Sequence, residues 1–308
     1  MKRIILLVIS IICGGVFSSM AQQLPQFTQY MYNTIAVNPA YAGSRGVMSI
    51  IALNRNQWVG FDGGPNTQTL SIHTPLRNEK IGIGLSFLND KTGYENFTYA
   101  YADFSYTINV SEEIKVAFGL KGGFSYYKID AELMNDPSVS SDPYFNEKLN
   151  RLTANFGAGI YVHTNKWYVG VSSPRLVNTT YTNSTDFKAF EQLHYYGIAG
   201  YVFTLSNNLK LKPTFLTKYT HNAPLSYDLT ANFLYNEKFW LGGSYRMNGK
   251  ERAIGFIADM QVNKQLRVGY AYEIPTGDIR PYTSGSHEIL LIYEFRFLKG
   301  KFRSPRYF

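Results

Sequence analysis

The sequence predicts an all-β fold: a single outer-membrane antiparallel β-barrel, with about fourteen strands and a short periplasmic amino-terminal segment. Three observations support this fold class. Aromatic residues are abundant, at 16%, whereas charged residues make up only 17% of the chain. Short runs of residues alternate between apolar and polar side chains. The connections between these runs alternate between short and long.

The composition excludes several other classes of protein. Charged residues usually account for about 25% of a globular chain, and the 308 residues here contain 25 Tyr, 21 Phe and one Cys. These values argue against a disordered, collagen-like, coiled-coil or disulfide-stapled protein. A mean hydropathy of -0.19 argues against a bundle of transmembrane helices. A membrane protein of this composition is therefore expected to cross the bilayer with strands.

The first 21 residues have the pattern of a secretory signal peptide. Lys2 and Arg3 form a charged start, a short apolar run follows over residues 4–12, and small residues precede a predicted cut after Ala21. A membrane anchor helix is the alternative interpretation, but a spanning helix takes about 20 apolar residues. Cleavage would remove the single cysteine and lower the formal net charge from +8 to +6.

The mature chain is predicted to form one barrel with short extensions. The expected parts are a signal peptide at 1–21, a periplasmic leader or plug segment at 22–45, a transmembrane barrel at 46–298 and a periplasmic carboxy-terminal tail at 299–308. Strands are predicted at 46–55, 66–76, 80–90, 95–110, 113–129, 151–164, 166–177, 191–206, 208–221, 225–236, 238–248, 251–263, 265–275 and 286–298.

One predicted strand illustrates the alternation on which this assignment depends. Phe118 and Leu120 fall on one face of the strand at 113–129, whereas Lys115 and Lys121 fall on the other. In a membrane barrel the apolar face is expected to contact lipid and the polar face to line the lumen. A soluble β-sandwich shows the same alternation, so periodicity alone does not decide between the two.

The lengths of the connections favour the barrel. Every second connection is a tiny turn, such as those at 164–166 and 236–238. Several of the others are long, notably those around 130–150, 174–190 and 276–285. Outer-membrane barrels have an even number of strands, with short periplasmic turns and longer extracellular loops. We therefore expect both termini in the periplasm and the long loops outside the cell.

The inner faces of the predicted strands carry charges of both signs. The predicted lumen-lining residues are Lys115, Lys121, Lys212, Lys218, Asp228, Asn232, Arg246, Asp259, Arg267 and Glu273. Such charges can form ladders across the lumen that make a barrel rigid. Alternatively, a slightly basic lumen could receive an acidic or polar segment, either a solute or a protein tail.

The sequence contains no pattern typical of catalysis, metal binding or cofactor binding. Its five His residues are scattered over separate strands and loops, without the short spacing of a metal site. The glycines at 82 and 84 lack the third glycine and the helix of a phosphate loop, and there is no Gly-x-Ser-x-Gly elbow. We predict a protein that is not an enzyme, holds no cofactor and binds no nucleic acid.

The segment at 22–44 does not alternate as a strand does. Asn38-Pro39 favours a turn, Pro39 restricts its own φ, and Gly43 can adopt a positive φ. The segment can therefore fold back compactly. Its tyrosines could pack against the lumen wall or face a partner, and the residue pattern leaves both possibilities open.

Three motifs near the start of the mature chain carry a family resemblance. QYMYN at 29–33, NPAYAG at 38–43 and NRNQW at 54–58 resemble the start of the PorP/SprF family of type IX secretion system membrane proteins. Overall length, fourteen strands and a short basic tail agree over nearly the whole mature chain. The resemblance implies a non-enzymatic outer-membrane component of type IX secretion, often associated with gliding motility.

The resemblance also implies protein partners. Family members are linked either to the periplasmic ring of the secretion machine or to export and surface retention of a large adhesin through its carboxy-terminal sorting domain. We hypothesise that the leader contacts such a partner through Tyr30, Tyr32, Asn38, Pro39, Tyr41 and Gly43. The alternative function is an outer-membrane channel or transporter for small or hydrophobic solutes, which only the fold class supports.

Overall fold

A computed structural model describes most of the chain. The described residues are 25–130, 133, 150–180, 190–221, 223–249 and 251–295. The predicted signal peptide, the predicted carboxy-terminal tail and most of the long connection predicted around 130–150 lie outside them. In the described part of the chain, no helix has the length and apolar character needed to cross a membrane.

Fourteen antiparallel strands build the barrel wall within the described residues. They are β1 Met48–Asn56, β2 Asn66–Pro75, β3 Ile81–Thr92, β4 Glu95–Asn109, β5 Lys115–Ile129, β6 Asn150–His163, β7 Trp167–Ser173, β8 His194–Tyr201, β9 Leu209–Thr220, β10 Ser226–Tyr235, β11 Phe239–Asn248, β12 Glu251–Gln261, β13 Leu266–Pro275 and β14 Ser286–Phe295. Phe203–Thr204 continues β8 along β9, and Thr179–Thr180 pairs with Phe190–Glu191 in the connection between β7 and β8.

The first and last strands close the sheet. β1 pairs with β2 on one side and with β14 on the other, where Ile51 lies opposite Ile292 and Met48 opposite Phe295. The other strands pair with their neighbours in chain order around the barrel. The predicted closed barrel of fourteen strands is confirmed. Closure removes the free edge that an apolar terminal strand would otherwise expose.

The two rims of the barrel differ in the length of their connections. At the rim that we call the short-turn rim, each even-numbered strand is joined to the next odd-numbered one by three to five residues, counting the continuation of β8 as strand. Met48 and Phe295, the ends of the wall, lie at this rim. At the opposite, long-loop rim the connections range from two to twenty residues, and the longest follow β5 and β7.

Side chains alternate between the lipid and the lumen along each strand. On β5, Phe118 and Leu120 are 46% and 62% exposed, whereas Ala117 and Lys121 are 1% and 4% exposed. The same alternation runs through β10 and β14. The exposed apolar residues form the outer band that a membrane barrel presents to hydrocarbon.

The clearest departure from the predicted strands is β7. The sequence predicts a strand at 166–177, but β7 ends at Ser173. Pro174 cannot donate an N–H to the ladder of hydrogen bonds, so the strand stops before it. Pro174 and Arg175 are both buried, because the chain turns into the lumen at this point.

Replacing Phe118 with arginine should impair assembly of the barrel. The substitution would place a charge in the lipid-facing band, at a cost of about 2–4 kcal/mol near the bilayer midplane. Phe118→Leu keeps the apolar surface, and Asn232→Ala changes a buried residue on the lumen face, so both variants should assemble normally. Heat-modifiable gel mobility measures the folded fraction, and equal loss in all three variants would contradict the assignment of faces.

Candidate functional site: the plugged lumen

The residues before β1 form a compact segment, the leader, at residues 25–45. It contains three short 3-10 turns, at Tyr30–Tyr32, Thr34–Ala36 and Pro39–Tyr41. Asn38 caps the third turn, because its Oδ1 accepts a hydrogen bond from the N–H of Ala40 at 3.0 Å. Pro39 takes the first position, where no N–H is needed. Gly43 then turns the chain with a φ of +73°, which a residue with a side chain rarely adopts.

The leader lies inside the barrel. Tyr30, Tyr32 and Tyr41 are 1–3% exposed, and Met31 and Ile35 are at most 2% exposed. These side chains share one core with apolar residues of the wall, namely Ile51, Leu53, Ile198, Leu216, Ile257, Leu290 and Ile292. A water-filled lumen would leave those wall residues wetted, so leader and wall stabilise each other by burying apolar surface.

The leader runs along the lumen from one rim towards the other. Near its start, the Gln26 side chain donates a hydrogen bond at 3.0 Å to the hydroxyl of Ser226, the first residue of β10 at the long-loop rim. Near its end, the N–H of Gly43 donates at 3.2 Å to Nδ1 of His73, two residues from the end of β2. The segment therefore fills the lumen instead of lying beneath the short-turn rim. Which rim faces the periplasm stays a prediction.

The wall is shaped to accept the leader backbone. A Cβ on Gly119 of β5 would overlap the backbone of Ala40, and a Cβ on Gly82 of β3 would overlap the carbonyl of Ala42. Such a close approach of two backbones requires a residue without a side chain. Ser105 then donates a hydrogen bond at 2.7 Å to the Ala42 carbonyl. Wall and leader thus fit in both shape and hydrogen bonding.

A buried ion network holds the beginning of the leader. Arg55 of β1 is fully buried and pairs with Glu273 at 2.6 Å and with Glu288 at 2.8 Å. The Glu288 carboxylate also accepts the backbone N–H groups of Thr28 and Gln29, at 2.7 and 2.8 Å. Buried charges are stable only when they are paired and hydrogen-bonded. Here the leader backbone supplies two of the hydrogen bonds that Glu288 needs.

Further contacts extend this network across the lumen. The hydroxyl of Thr28 accepts a hydrogen bond from Arg55 at 2.8 Å and donates one to Glu273 at 2.9 Å. Arg246 pairs with Asp228 at 2.6 Å and with Glu273 at 3.0 Å. The structure therefore brings together three of the predicted lumen residues, Asp228, Arg246 and Glu273, and adds the leader to their network.

Lys121 makes a second, separate contact with the leader. Its ammonium group pairs with Asp103 of β4 at 3.1 Å. It also donates a hydrogen bond at 3.2 Å to the carbonyl oxygen of Ile35. Because all of these atoms are buried, loss of the Lys121 charge would leave the Asp103 carboxylate without its cation.

Two basic side chains lie close to the Tyr32 ring near the short-turn rim. The Arg267 guanidinium lies 3.9 Å from the ring centre and pairs with Asp259 at 3.1 Å. The Lys212 ammonium lies 5.1 Å from the same ring. Such cation–π contacts contribute about 0.5–2 kcal/mol, more when water is excluded.

The remaining predicted lumen residues occupy inner faces of the wall strands. Lys115 begins β5 at the short-turn rim and is partly exposed. Lys218 and Asn232 are buried on β9 and β10. A role for these side chains in solute or partner binding stays a prediction.

The six predicted partner-binding residues all belong to the leader. Five of them are buried in the lumen and Gly43 is partly exposed, the full set being Tyr30, Tyr32, Asn38, Pro39, Tyr41 and Gly43. Their tyrosine rings pack on the wall, which was one of the two arrangements left open by the sequence. Partner binding by these residues stays a prediction, and it requires a partner that reaches the lumen or a leader that leaves it.

Sequence reasoning missed two central members of the ion network, Arg55 and Glu288. They lie directly opposite each other across the pairing of β1 with β14. Both residues fell within predicted strands. Glu288 directly precedes the lipid-facing Ile289. Because successive side chains of a strand point to opposite faces, this position would have identified Glu288 as a lumen residue.

Comparison with protein families identifies the family of the chain. A family model described as "Type IX secretion system membrane protein PorP/SprF" matches residues 19–293, which is most of the chain. The chain belongs to the PorP/SprF family. It is thus an outer-membrane barrel of type IX secretion, and the resemblance seen in the leader motifs is confirmed. No curated protein matches the chain.

Solved structures of other outer-membrane proteins share the fold of this PorP/SprF barrel. The Ralstonia pickettii toluene transporter TbuX is 11% identical, with a TM-score of 0.52, over 86% of this chain and 93% of its own. The CymD monoaromatic hydrocarbon channel is 12% identical, with a TM-score of 0.51, over 89% and 94%. Acinetobacter baumannii Omp33 is 10% identical, with a TM-score of 0.50, over 81% and 98%. At such low identity the likeness shows the fold alone.

Proposed function

We propose that this PorP/SprF barrel acts by binding a partner protein of type IX secretion, and that it is neither an open channel nor an enzyme. The partner is the carboxy-terminal sorting domain of a secreted adhesin, bound for export or surface anchoring, or a component of the periplasmic ring. Family membership supports the link to secretion. One observation supports a binding role over a channel: the chain's own leader fills the lumen.

A filled lumen is a poor path for solutes. A channel needs a continuous hydrated surface, whereas the leader occupies the lumen from Gln26 to Gly43. Removing the leader would expose Ile51 and Leu290 of the wall to water and would take two N–H donors from Glu288. A partner, in contrast, can dock on a rim or on the outer surface while the lumen stays closed.

The proposal includes an orientation of the barrel in the outer membrane. The short-turn rim faces the periplasm, and the long-loop rim faces the outside of the cell, as is usual for outer-membrane barrels. A sorting domain held at the cell surface would then meet the long loops. A component of the periplasmic ring would instead meet the short turns and the ends of the barrel wall.

Two measurements test the proposed function. The purified full-length barrel should carry little current in planar lipid bilayers, because the leader closes its lumen. Cells that lack the chain should lose surface display of type IX cargo, and the full-length chain should restore it. An unrelated open porin serves as the control for conductance.

The alternative function makes the opposite prediction for both measurements. A channel or transporter for small or hydrophobic solutes should conduct or take up its solute as the full-length chain. Cells that lack it should display their secreted cargo normally. Sustained high conductance together with normal display would overturn the proposed function.

A further inference from the structure

Among the described residues, the barrel wall is incomplete beside β6. β6 pairs with β5 along its whole length, from Asn150 to His163. On its other side it pairs with β7 only from Ala158 to His163. Within the described residues, the half of β6 towards the long-loop rim therefore has a neighbouring strand on one side only.

The chain after β7 passes behind β6 instead of beside it. A Cβ on the lumen-facing residue Gly157 would overlap the carbonyl of Pro174, and Arg175 is buried inside the barrel. The side chain of Asn155 binds the backbone of residues 176–177 from the lumen face. Within the part of the chain that the structure describes, this leaves a gap in the wall where β7 would have continued.

One backbone hydrogen bond from this passing chain reaches the edge of β6. The N–H of Leu176 donates to the carbonyl of Phe156 at 2.7 Å. In a strand, every second residue turns its N–H and C=O to the same side. Leu152 and Ala154 therefore turn theirs towards the gap, and no backbone group of the described residues bonds them there.

The side chains of this edge keep the two-faced pattern of a wall strand. Leu152 and Phe156 face outward and are 65% and 60% exposed, as are lipid-facing residues of the continuous wall such as Leu120 at 62%. Thr153 and Asn155 have the opposite phase and face the lumen. Backbone N–H and C=O groups without partners are strongly disfavoured at membrane depth. The edge thus calls for a neighbour that can form hydrogen bonds.

The geometry points to the β6 edge at residues 152–156 as a site where an extended segment of a partner polypeptide adds as a strand. Hydrogen bonds to the backbone of Leu152 and Ala154 supply affinity, and alternating side chains supply specificity. The bound segment has apolar residues towards the lipid and polar residues towards the lumen. This inference rests on the proposed function, for which it supplies a place of contact.

The chemistry of the edge selects an extended polypeptide over other occupants. Lipid tails and hydrocarbon solutes have no hydrogen-bond donors or acceptors to offer. A helix uses its backbone groups internally. An extended chain leaves alternate N–H and C=O groups free along one side, which is the arrangement that a strand edge pairs with.

Photo-crosslinking in growing cells tests the site. A benzophenone side chain placed at Leu152 or at Phe156 should crosslink the same partner polypeptide, because both positions flank the added strand. The two crosslinks should map about four residues apart in that partner, since paired strands advance residue by residue. The same probe at Phe256, a lipid-facing residue of β12 that is 61% exposed, should not crosslink this partner. These chains all retain Ala154.

A matched pair of substitutions separates backbone pairing from side-chain contact. Ala154→Pro removes the N–H that faces the gap and leaves the bonds to β5 intact, and proline is tolerated on strand edges. It should lower the crosslinking yield about tenfold, the effect of one lost hydrogen bond. Ala154→Val keeps the N–H and should leave the yield unchanged. Heat-modifiable mobility checks that both barrels fold.

Several outcomes would overturn this inference. Crosslinks to the chain's own connections or to a second copy of the barrel would mean that a different neighbour covers the edge. Equal crosslinking of the Ala154→Pro and Ala154→Val chains would mean that side chains alone make the contact. Yields at Leu152 and Phe156 no higher than at Phe256 would mean that no strand is bound. Normal cargo display without the chain would instead contradict the proposed function, so the two failures are distinguishable.

Discussion

Replacing Arg55 with alanine should destabilise the barrel by about 3–5 kcal/mol, because it removes one partner from a buried set of charges. Arg55 is fully buried between Glu273 and Glu288. Without it, Glu288 keeps the leader N–H groups but has no ion pair among the described residues. Glu273 keeps Arg246 and the Thr28 hydroxyl. The temperature at which the barrel loses its heat-modifiable mobility should fall markedly, and a protease should cut the leader more readily.

Two comparisons make the effect of Arg55 specific. Replacing Arg252, an exposed arginine on β12, with alanine should change the free energy of unfolding by no more than about 0.5 kcal/mol. Combining Arg55→Ala with Glu288→Gln should restore part of the lost stability, because residues within one network are not additive. Equal losses for Arg55→Ala and Arg252→Ala, or a double variant as unstable as the sum of the two singles, would argue against the network.

The wall of this barrel was largely predictable from the sequence. Lipid demands an apolar face and the lumen tolerates a polar one, so the period of two is visible directly, as in the contrast of Phe118 with Lys121. The even number of strands and the positions of the long connections could be counted from where these alternating runs begin and end. The end of β7 was misjudged because the predicted strand ran past Pro174, which interrupts the ladder where the chain turns inward.

The contents of the lumen were predictable only in part. Asn38-Pro39 and Gly43 indicated a compact leader, and its turns agree with that expectation. Its position inside the barrel follows from contacts that are distant in sequence, such as Thr28 with Glu288, 260 residues later. One signal was present: β1 carries apolar residues on both faces, with Ile51 and Leu53 directed inward. Large apolar residues on an inner face indicate that something other than water packs against them.

Replacing Gly119 with valine should expel the leader from its place in the lumen. The new side chain would overlap the backbone of Ala40, and a backbone cannot rotate away as a side chain can. Overpacking of this kind costs about 1–3 kcal/mol. At about 1.4 kcal/mol per factor of ten, the population with an undocked leader should rise about fivefold to a hundredfold. Planar-bilayer recordings should therefore show frequent openings that the unmodified chain lacks.

Gly122 of the same strand provides the matched control. It faces lipid, and a Cβ there would lie 3.5 Å from the ring of Phe156, an ordinary contact distance. Gly122→Val should thus assemble and stay closed, although it adds the same side chain to the same strand three residues away. Equal conductance of the two variants, whether both are quiet or both open, would contradict the plug. If Gly119→Val fails to assemble while Gly122→Val assembles, docking of the leader is itself required to build the barrel, because the two substitutions differ only in the face that they occupy.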